Sequence, residues 1–289
     1  MPGVRLAAVC DISAGRARSV ARGLGCRAFT DYRALAALVD AASLAVPTSL
    51  HGTIGRDLLR HGIHLLIEKP IAATLAEADA LIRAAARHRC ALMVGHIERF
   101  NAAIHAAINR LRHPRFIEVD RLSPYPFRGT DVSVVLDVMI HDLDLILALV
   151  RSPVKRLQAL GLPVLSPSED IANARLEFAS GCVANLTASR VSDETIRRIR
   201  VFQEDSYLSI DYKAQTVELA RLHGRSARRL NLPVNRRPPL QEEFASFVRS
   251  VIAGRHPTVT GADGRAALSL ALRIEKAMRQ RKPSIVHGR

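Results

Sequence analysis

The chain has 289 residues, enough for two ordinary domains at a norm of about 150 residues each. Apolar residues make up 48% and charged residues 24%, which excludes a disordered chain, and no apolar run reaches the roughly 18 residues of a membrane span. The formal net charge of +15 rests on 42 basic residues, five of them lysines and the rest arginines scattered singly; with no Trp and 4% aromatics to stack bases, the charge favours anionic small molecules over nucleic acid.

The first residues lack the basic-then-apolar layout of a secretory signal, and Cys10, Cys26, Cys90 and Cys182 stand far apart. That spacing argues against a disulfide framework or a structural metal site, and a cytosolic protein is expected. Residues 4–10 form a continuous apolar run that reads as a buried strand ending at Asp11. Ser13 is placed to cap a helix to about Leu24, closed by Gly23 and Gly25. Residues 42–46 read as a second strand stopped by Pro47, 51–60 as a helix and 63–67 as a third strand. Thr74 caps a long helix to about Arg89, and 91–94 is a fourth strand. Strands alternating with helices across short connections specify a parallel sheet wrapped by helices.

After Gly95 the pattern changes. A helix over about 100–112, an alternating strand at 116–122, a Pro- and Gly-bearing loop at 123–129 and a leucine-rich helix at 138–150 follow in turn. Strand-like runs at 156–164, 171–178, 182–188, 199–202 and 207–211 then succeed one another without helices, which requires an antiparallel or mixed sheet. Helices at 241–253 and about 262–279 close the chain. The fold class is therefore α/β plus α+β: a parallel-sheet domain over 1–97, then a domain over 98–289 with a large mixed or antiparallel open sheet.

Ile67-Glu68-Lys69-Pro70 falls at the carboxyl end of a parallel strand, the edge where ligands of open α/β sheets collect. A lysine there can exchange a proton with a substrate hydroxyl while the neighbouring glutamate fixes its position. The residues alone read equally as a surface Glu-Lys pair before a helix-starting proline. Asp137 and His141 stand four apart at the start of a helix, hence on one face. Asp137 suits a first-turn acid, and His141 suits either a core histidine or a general acid/base.

Together these features resemble the Gfo/Idh/MocA family of NAD(P)-dependent sugar oxidoreductases, which pairs a Glu-Lys-Pro motif with a later Asp-x-x-x-His. Ala45-Val46-Pro47-Thr48-Ser49-Leu50-His51 is similar to the family's loop over the nicotinamide, and Gly95-His96-Ile97-Glu98-Arg99-Phe100-Asn101 to its crossing between domains. The resemblance implies a Rossmann-like first domain, a substrate-binding and oligomerisation second domain, and a homodimer or tetramer. It implies catalytic roles for Lys69, His141 and Asp137, and cofactor contacts from Asp11, Val46, Pro47, Thr48, His51, Glu68 and Lys69. Substrate contacts are implied for Lys69, Arg99, Asn101, Asp137, His141 and Arg190. Within the family, Thr130-Asp131-Val132 and Asn185-Leu186-Thr187-Ala188-Ser189-Arg190 are similar to members acting on UDP-N-acetylglucosamine. Those members oxidise the sugar's C3 hydroxyl, a step that often serves lipid A synthesis, and an arginine-rich chain suits a diphosphate substrate.

One part of the family pattern has no counterpart. The first strand, its Gly-x-Gly-x-x-Gly turn and the following helix are absent, and residues 4–11 correspond to the second strand, with Asp11 on the adenosine ribose. In the usual strand order the missing strand lies mid-sheet, so a gap or two exposed edges are expected, with weak NAD binding and about 30 further residues upstream. Gly23-Leu24-Gly25-Cys26-Arg27-Ala28 has similar spacing but follows a helix, so it reads as a helix end. Asp11 favours NAD over NADP by repelling a 2′-phosphate, although Arg16 and Arg18 stand close by. Two other readings compete: a cofactor-deficient, non-catalytic sugar-phosphate binding protein, and a basic nucleic-acid binder. Retention of Lys69, Asp137 and His141 argues against the first, because a pure binder has no use for a proton-transfer pair.

Overall fold

The computed structural model describes Met1 and residues 3–126, 132–223 and 226–280; part of the loop expected at 123–129, and Thr130-Asp131, lie outside them. The chain divides into two units, Met1–Gly95 with Glu243–Arg265, and His96–Glu242 with the chain from Ala266 onward. A segment remote in sequence thus completes the first unit, which a division at residue 97 leaves out.

In the first unit, β1 (Ala8–Cys10) pairs in parallel with β2 (Arg27–Phe29), joined by α1 (Ala14–Leu24). A separate parallel sheet runs β3 (Ala41–Leu44), β4 (His64–Glu68), β5 (Leu92–Gly95), with α2 (Thr48–Arg60) and α3 (Leu75–Arg87) as crossovers. Among the described residues no strand lies between β1 and β3, so the parallel strands fall into two sheets. β1 is also shorter than its apolar run: Val4 and Leu6 are exposed, because apolarity marks burial but a strand needs a ladder partner. Ser13 caps α1, and Gly25 closes it in the left-handed conformation at φ 64°, its N–H donating to the Ala21 carbonyl. The Gly-x-Gly-x-x-Ala spacing therefore ends a helix and presents no helix start to phosphate. Thr74 and Glu77 form a reciprocal capping box on α3. Leu59, Leu65, Ile67, Leu81, Met93 and Val94 fill the layer between helices and sheet. On the far side of β5, Val94 donates its N–H to the Val259 carbonyl, which fastens the returning segment.

The second unit carries a mixed eight-stranded open sheet, in order β13-β12-β11-β10-β6-β9-β8-β7. Its strands are β6 (Phe116–Leu122), β7 (Val154–Leu162), β8 (Ile171–Phe178), β9 (Val183–Ser189), β10 (Ile196–Phe202), β11 (Ser206–Asp211), β12 (Thr216–His223) and β13 (Ser226–Asn231). Only β6 and β9 run parallel. One face of the sheet is apolar at every second residue: Ile117 and Val119 on β6, Ala172, Ala174 and Leu176 on β8, Ile199 and Val201 on β10 are all buried. Against it pack α4 (Ala102–Ile108), α5 (Ile140–Val150) and α7 (Gly261–Gln280) through Ile104, Ile140, Leu143, Ala271 and Ile274. The remaining helix, α6, spans Pro239–Ala253.

The segment ahead of α5 departs from the expected helix. Residues Val135–Met139 form a single π-helical turn, with wider winding than an α-helix. Asp137 lies on that turn and His141 in the first turn of α5, so the two are not on one uniform α-helical face. Single π-turns occur often at functional sites, and this one carries a candidate catalytic residue.

Candidate active site

The first unit brings its candidates to the carboxyl ends of its parallel strands. At the end of β1, Asp11 accepts from the Ser13 N–H at 2.8 Å and from Arg16 Nη1 at 3.0 Å. The Ser13 bond first, and Arg16 after it, hold its pKa below the ordinary carboxylate value. Asp11 therefore keeps its charge, and each oxygen retains a lone pair for a ribose hydroxyl. At the end of β3, Pro47 is the N-cap of α2 and makes no side-chain cap bond, so Thr48 begins the helix without one. His51 is 1% exposed and bridges two loops: Nε2 lies 2.9 Å from the Val46 carbonyl and Nδ1 2.9 Å from the Pro70 carbonyl. It thereby ties the loop after β3 to the Lys69–Pro70 segment, and a neutral ring donates to one of the two carbonyls at a time.

Glu68 ends β4, and its Oε2 accepts from the Lys69 backbone N–H at 3.3 Å. Gly95 lies opposite Glu68 on β5, where an added Cβ would come to 3.1 Å from that oxygen, so glycine lets the carboxylate lie close without having to shift. Sequence reasoning missed a further group here. Glu243 of α6 is 1% exposed, and its Oε1 has no hydrogen-bond partner among the described residues. Burial, and then the nearby Glu68 carboxylate, push its pKa up to about 8.

That shift has a measurable consequence. The unfolded carboxyl loses its proton above its ordinary value of 4.5, whereas the folded one holds it to about pH 8. The folded state therefore binds the extra proton, and stability falls as pH rises across that window, by at most about 1.4 kcal/mol per unit. Glu243→Gln has no proton to lose. Its melting temperature relative to the wild type is expected to rise from pH 5 to pH 8. Parallel curves for the two proteins would mean that Glu243 is not held protonated.

The second unit holds its candidates around a buried charge network. Arg121 of β6 donates Nε to Asp142 Oδ2 at 2.8 Å and Nη2 to Asp142 Oδ1 at 3.0 Å and Glu98 Oε1 at 3.1 Å. The Tyr212 hydroxyl donates to Asp142 Oδ1 at 2.7 Å, and the Arg121 guanidinium lies over the Tyr212 ring at 5.1 Å. Burial and the Asp142 carboxylate push the Tyr212 pKa well up, so the hydroxyl stays a donor. Asn101 joins the network, its Nδ2 donating to the Tyr212 carbonyl at 2.8 Å and to Glu98 at 3.3 Å. Asn101 is thus buried in the scaffold of this site. Arg99 donates Nε to the buried Asp144 at 2.8 Å. These bonds fasten Asp142 and Asp144 just after His141, whose ring meets the buried His96 ring edge-on at 6.2 Å between centroids.

Arg190 lies elsewhere in the second unit. It is 1% exposed, and Nε donates to Asp170 at 2.8 Å, Nη1 to the Val132 carbonyl at 2.8 Å, and Nη2 to Ser168 at 2.7 Å and Ser166 at 3.0 Å. Burial pushes the Asp170 carboxyl up, but the bonds from Ser166, Arg190 and the N–H groups of Val164 and Leu165 outweigh it and hold it well below the usual range. The guanidinium assigned to substrate from the sequence is engaged at all three nitrogens. It anchors Val132, which leads into the π-turn carrying Asp137.

A nicotinamide dinucleotide is the cofactor this arrangement suits: a charged acid at the end of β1, an uncapped helix start after β3 and a lysine after β4 occupy the ligand edge of the parallel strands. Residues 1–96 match the family model of an oxidoreductase family's NAD-binding Rossmann fold, and residues 102–209 match the GFO/IDH/MocA C-terminal domain. The chain belongs to the GFO/IDH/MocA family of oxidoreductases, nicotinamide-dependent dehydrogenases of hydroxyl groups. A UDP-N-acetylglucosamine 3-dehydrogenase of Acidithiobacillus ferrooxidans is 37% identical to it, over 95% of this chain and 90% of that one. A solved structure of that enzyme superposes with a TM-score of 0.91 at 38% identity, over 95% of this chain and 90% of that one. A myo-inositol 2-dehydrogenase of Thermotoga maritima is 26% identical, over 96% of this chain and 90% of its own length. Among the described residues no helix is long and apolar enough to cross a membrane.

Proposed function

We propose that this protein oxidises the C3 hydroxyl of UDP-N-acetylglucosamine to a ketone, with NAD as the preferred cofactor. The observation that carries the reading is the 37% identity, over 95% of the chain, to an enzyme of that activity, in a sequence that retains Lys69, Asp137 and His141. The cofactor supplies the two-electron acceptor. Lys69, in its amine form, takes the hydroxyl proton; His141 assists that transfer, and Asp137 orients the substrate or the imidazole. Arg99 contributes to substrate contact, while Asn101 and Arg190 act as supports of the site. Asp11 holds the adenosine ribose, and its negative charge disfavours the 2′-phosphate of NADP. Homo-oligomerisation through the open sheet is part of the same reading.

The test is turnover. UDP-N-acetylglucosamine with NAD is expected to give the absorbance of reduced nicotinamide, with a lower kcat/KM when NADP replaces NAD. Activity on a free inositol or hexose, with none on the sugar nucleotide, would overturn the substrate and leave the family intact. Tight sugar-nucleotide binding without turnover would favour a non-catalytic binding protein.

A further inference from the structure

At the edge of the first unit opposite Lys69, the last turns of α2 and α3 enclose a groove of about 700 Å³. Arg56 and Arg60 line one side, Arg83, Arg87 and His88 the other, with the small side chains of Ala80 and Ala84 between them. No carboxylate among the described residues forms an ion pair with any of the four arginines. The local acids are bonded mainly to other groups: Asp57 accepts from the Tyr32 hydroxyl at 3.1 Å, and Asp79 is gripped by Arg265, with a lesser attraction to Arg83.

Helix chemistry explains only half of this charge. Arg60 and Arg87 sit in the last turns, where a cation interacts favourably with the helix dipole. Arg56 and Arg83 lie one turn further in, beyond the reach of that effect, and each forms a destabilising like-charge pair four residues apart with its neighbour, which for Arg83 is offset only in part by Asp79 one turn before it. An external counter-anion would relieve both pairs at once. Arg56 Nε donates to the Gly52 carbonyl at 2.9 Å, which steadies the side chain and leaves two terminal nitrogens for a ligand.

We propose that this groove is a binding site for a compact oligophosphate anion, separate from the cofactor and substrate edge. Guanidinium groups recognise phosphate by paired N–H donors, and four of them here converge from two helices. Each arginine pair spans only about 6 Å along its helix at 1.5 Å per residue, which suits a short phosphate chain better than an extended nucleic acid. The lining holds no Phe, Tyr or Trp on which a base could stack, so the phosphates are what is read.

The experiment is calorimetric titration of inorganic tripolyphosphate into the full chain at low salt, with ATP as a second arm. Arg56→Gln, Arg60→Gln, Arg83→Gln and Arg87→Gln combined should weaken tripolyphosphate binding by about tenfold or more. Neutralising four other exposed arginines, Arg5, Arg22, Arg110 and Arg255, should change it less than about twofold if the site is local. Equal weakening in both variants would assign binding to the net charge of the chain and overturn the proposal, as would no weakening in either. ATP binding no tighter than tripolyphosphate assigns the site to free oligophosphate; tighter ATP binding that the groove variant alone loses assigns it to a nucleotide. If the combined variant does not fold in a thermal melt, the exposed single changes Arg60→Gln and Arg87→Gln decide, each expected to weaken binding about threefold, with unchanged affinity in both contradicting the site.

Discussion

Lys69→Ala is expected to lower kcat by about 100-fold or more, the usual worth of a positioned acid/base group, with little change in melting temperature. The lysine follows β4 at the ligand edge of the parallel sheet, beside a Glu68 carboxylate that its own backbone N–H anchors. The apolar core of the first unit is built by other residues, Leu65, Ile67, Leu81 and Val94 among them. Lys69→Arg separates proton transfer from mere charge, because a guanidinium keeps the cation but does not give up its proton. If Lys69 takes the hydroxyl proton, the arginine variant should be as slow as the alanine variant; rescue by arginine would leave the lysine an electrostatic role only. His141→Ala should show a loss of similar size. Near-normal turnover in either alanine variant would make that side chain structural.

Arg121→Ala is expected to cost about 3–5 kcal/mol of stability, the range for removing one partner of a buried ion pair. The buried Asp142 would be left without its guanidinium partner, and the buried Glu98 with only the more exposed guanidinium of Arg197 at 3.5 Å. Tyr212→Phe removes a single bond to the Asp142 carboxylate and should cost less, about 1.5–3 kcal/mol. Because Asp142 is the peptide neighbour of His141, both changes should also lower kcat more than they raise KM. Denaturant unfolding and steady-state kinetics on the same preparations check the two effects together. An Arg121→Ala protein with wild-type stability would mean that solvent reaches the carboxylates and that the network is not sealed.

Local pattern in the sequence foretells those elements whose environment is also local. β6 and β8 fall where alternation places them, because one face of each strand meets the core at every second residue. α3 begins at Thr74 because Thr74 and Glu77 satisfy one another's backbone there. The motif order along the chain was sufficient for the family. β12 and β13 escaped notice because Arg221, Arg228 and Arg229 break their apolar alternation, and β13 is an edge strand with a single partner. The π-turn at Val135–Met139 has no signature in an apolar run that suits an α-helix equally. Glu243 was invisible for a different reason: it sits 175 residues beyond Glu68, and only the return of α6 to the first unit brings the two carboxyls into one electrostatic environment. Arg190 is the converse case: the motif places it near the site, and only the fold shows its guanidinium bonded to Asp170, Ser166, Ser168 and the Val132 carbonyl.

The proposed oxidation takes place at C3 of the sugar nucleotide. Turnover of UDP-N-acetylglucosamine carrying deuterium at C3, with mass analysis of the recovered nicotinamide, tests it most directly. The deuterium is expected to leave the sugar and appear on the reduced cofactor, while a C4-deuterated substrate yields unlabelled cofactor and a labelled ketone. Deuterium retained at C3, or transferred from C4 instead, would contradict it.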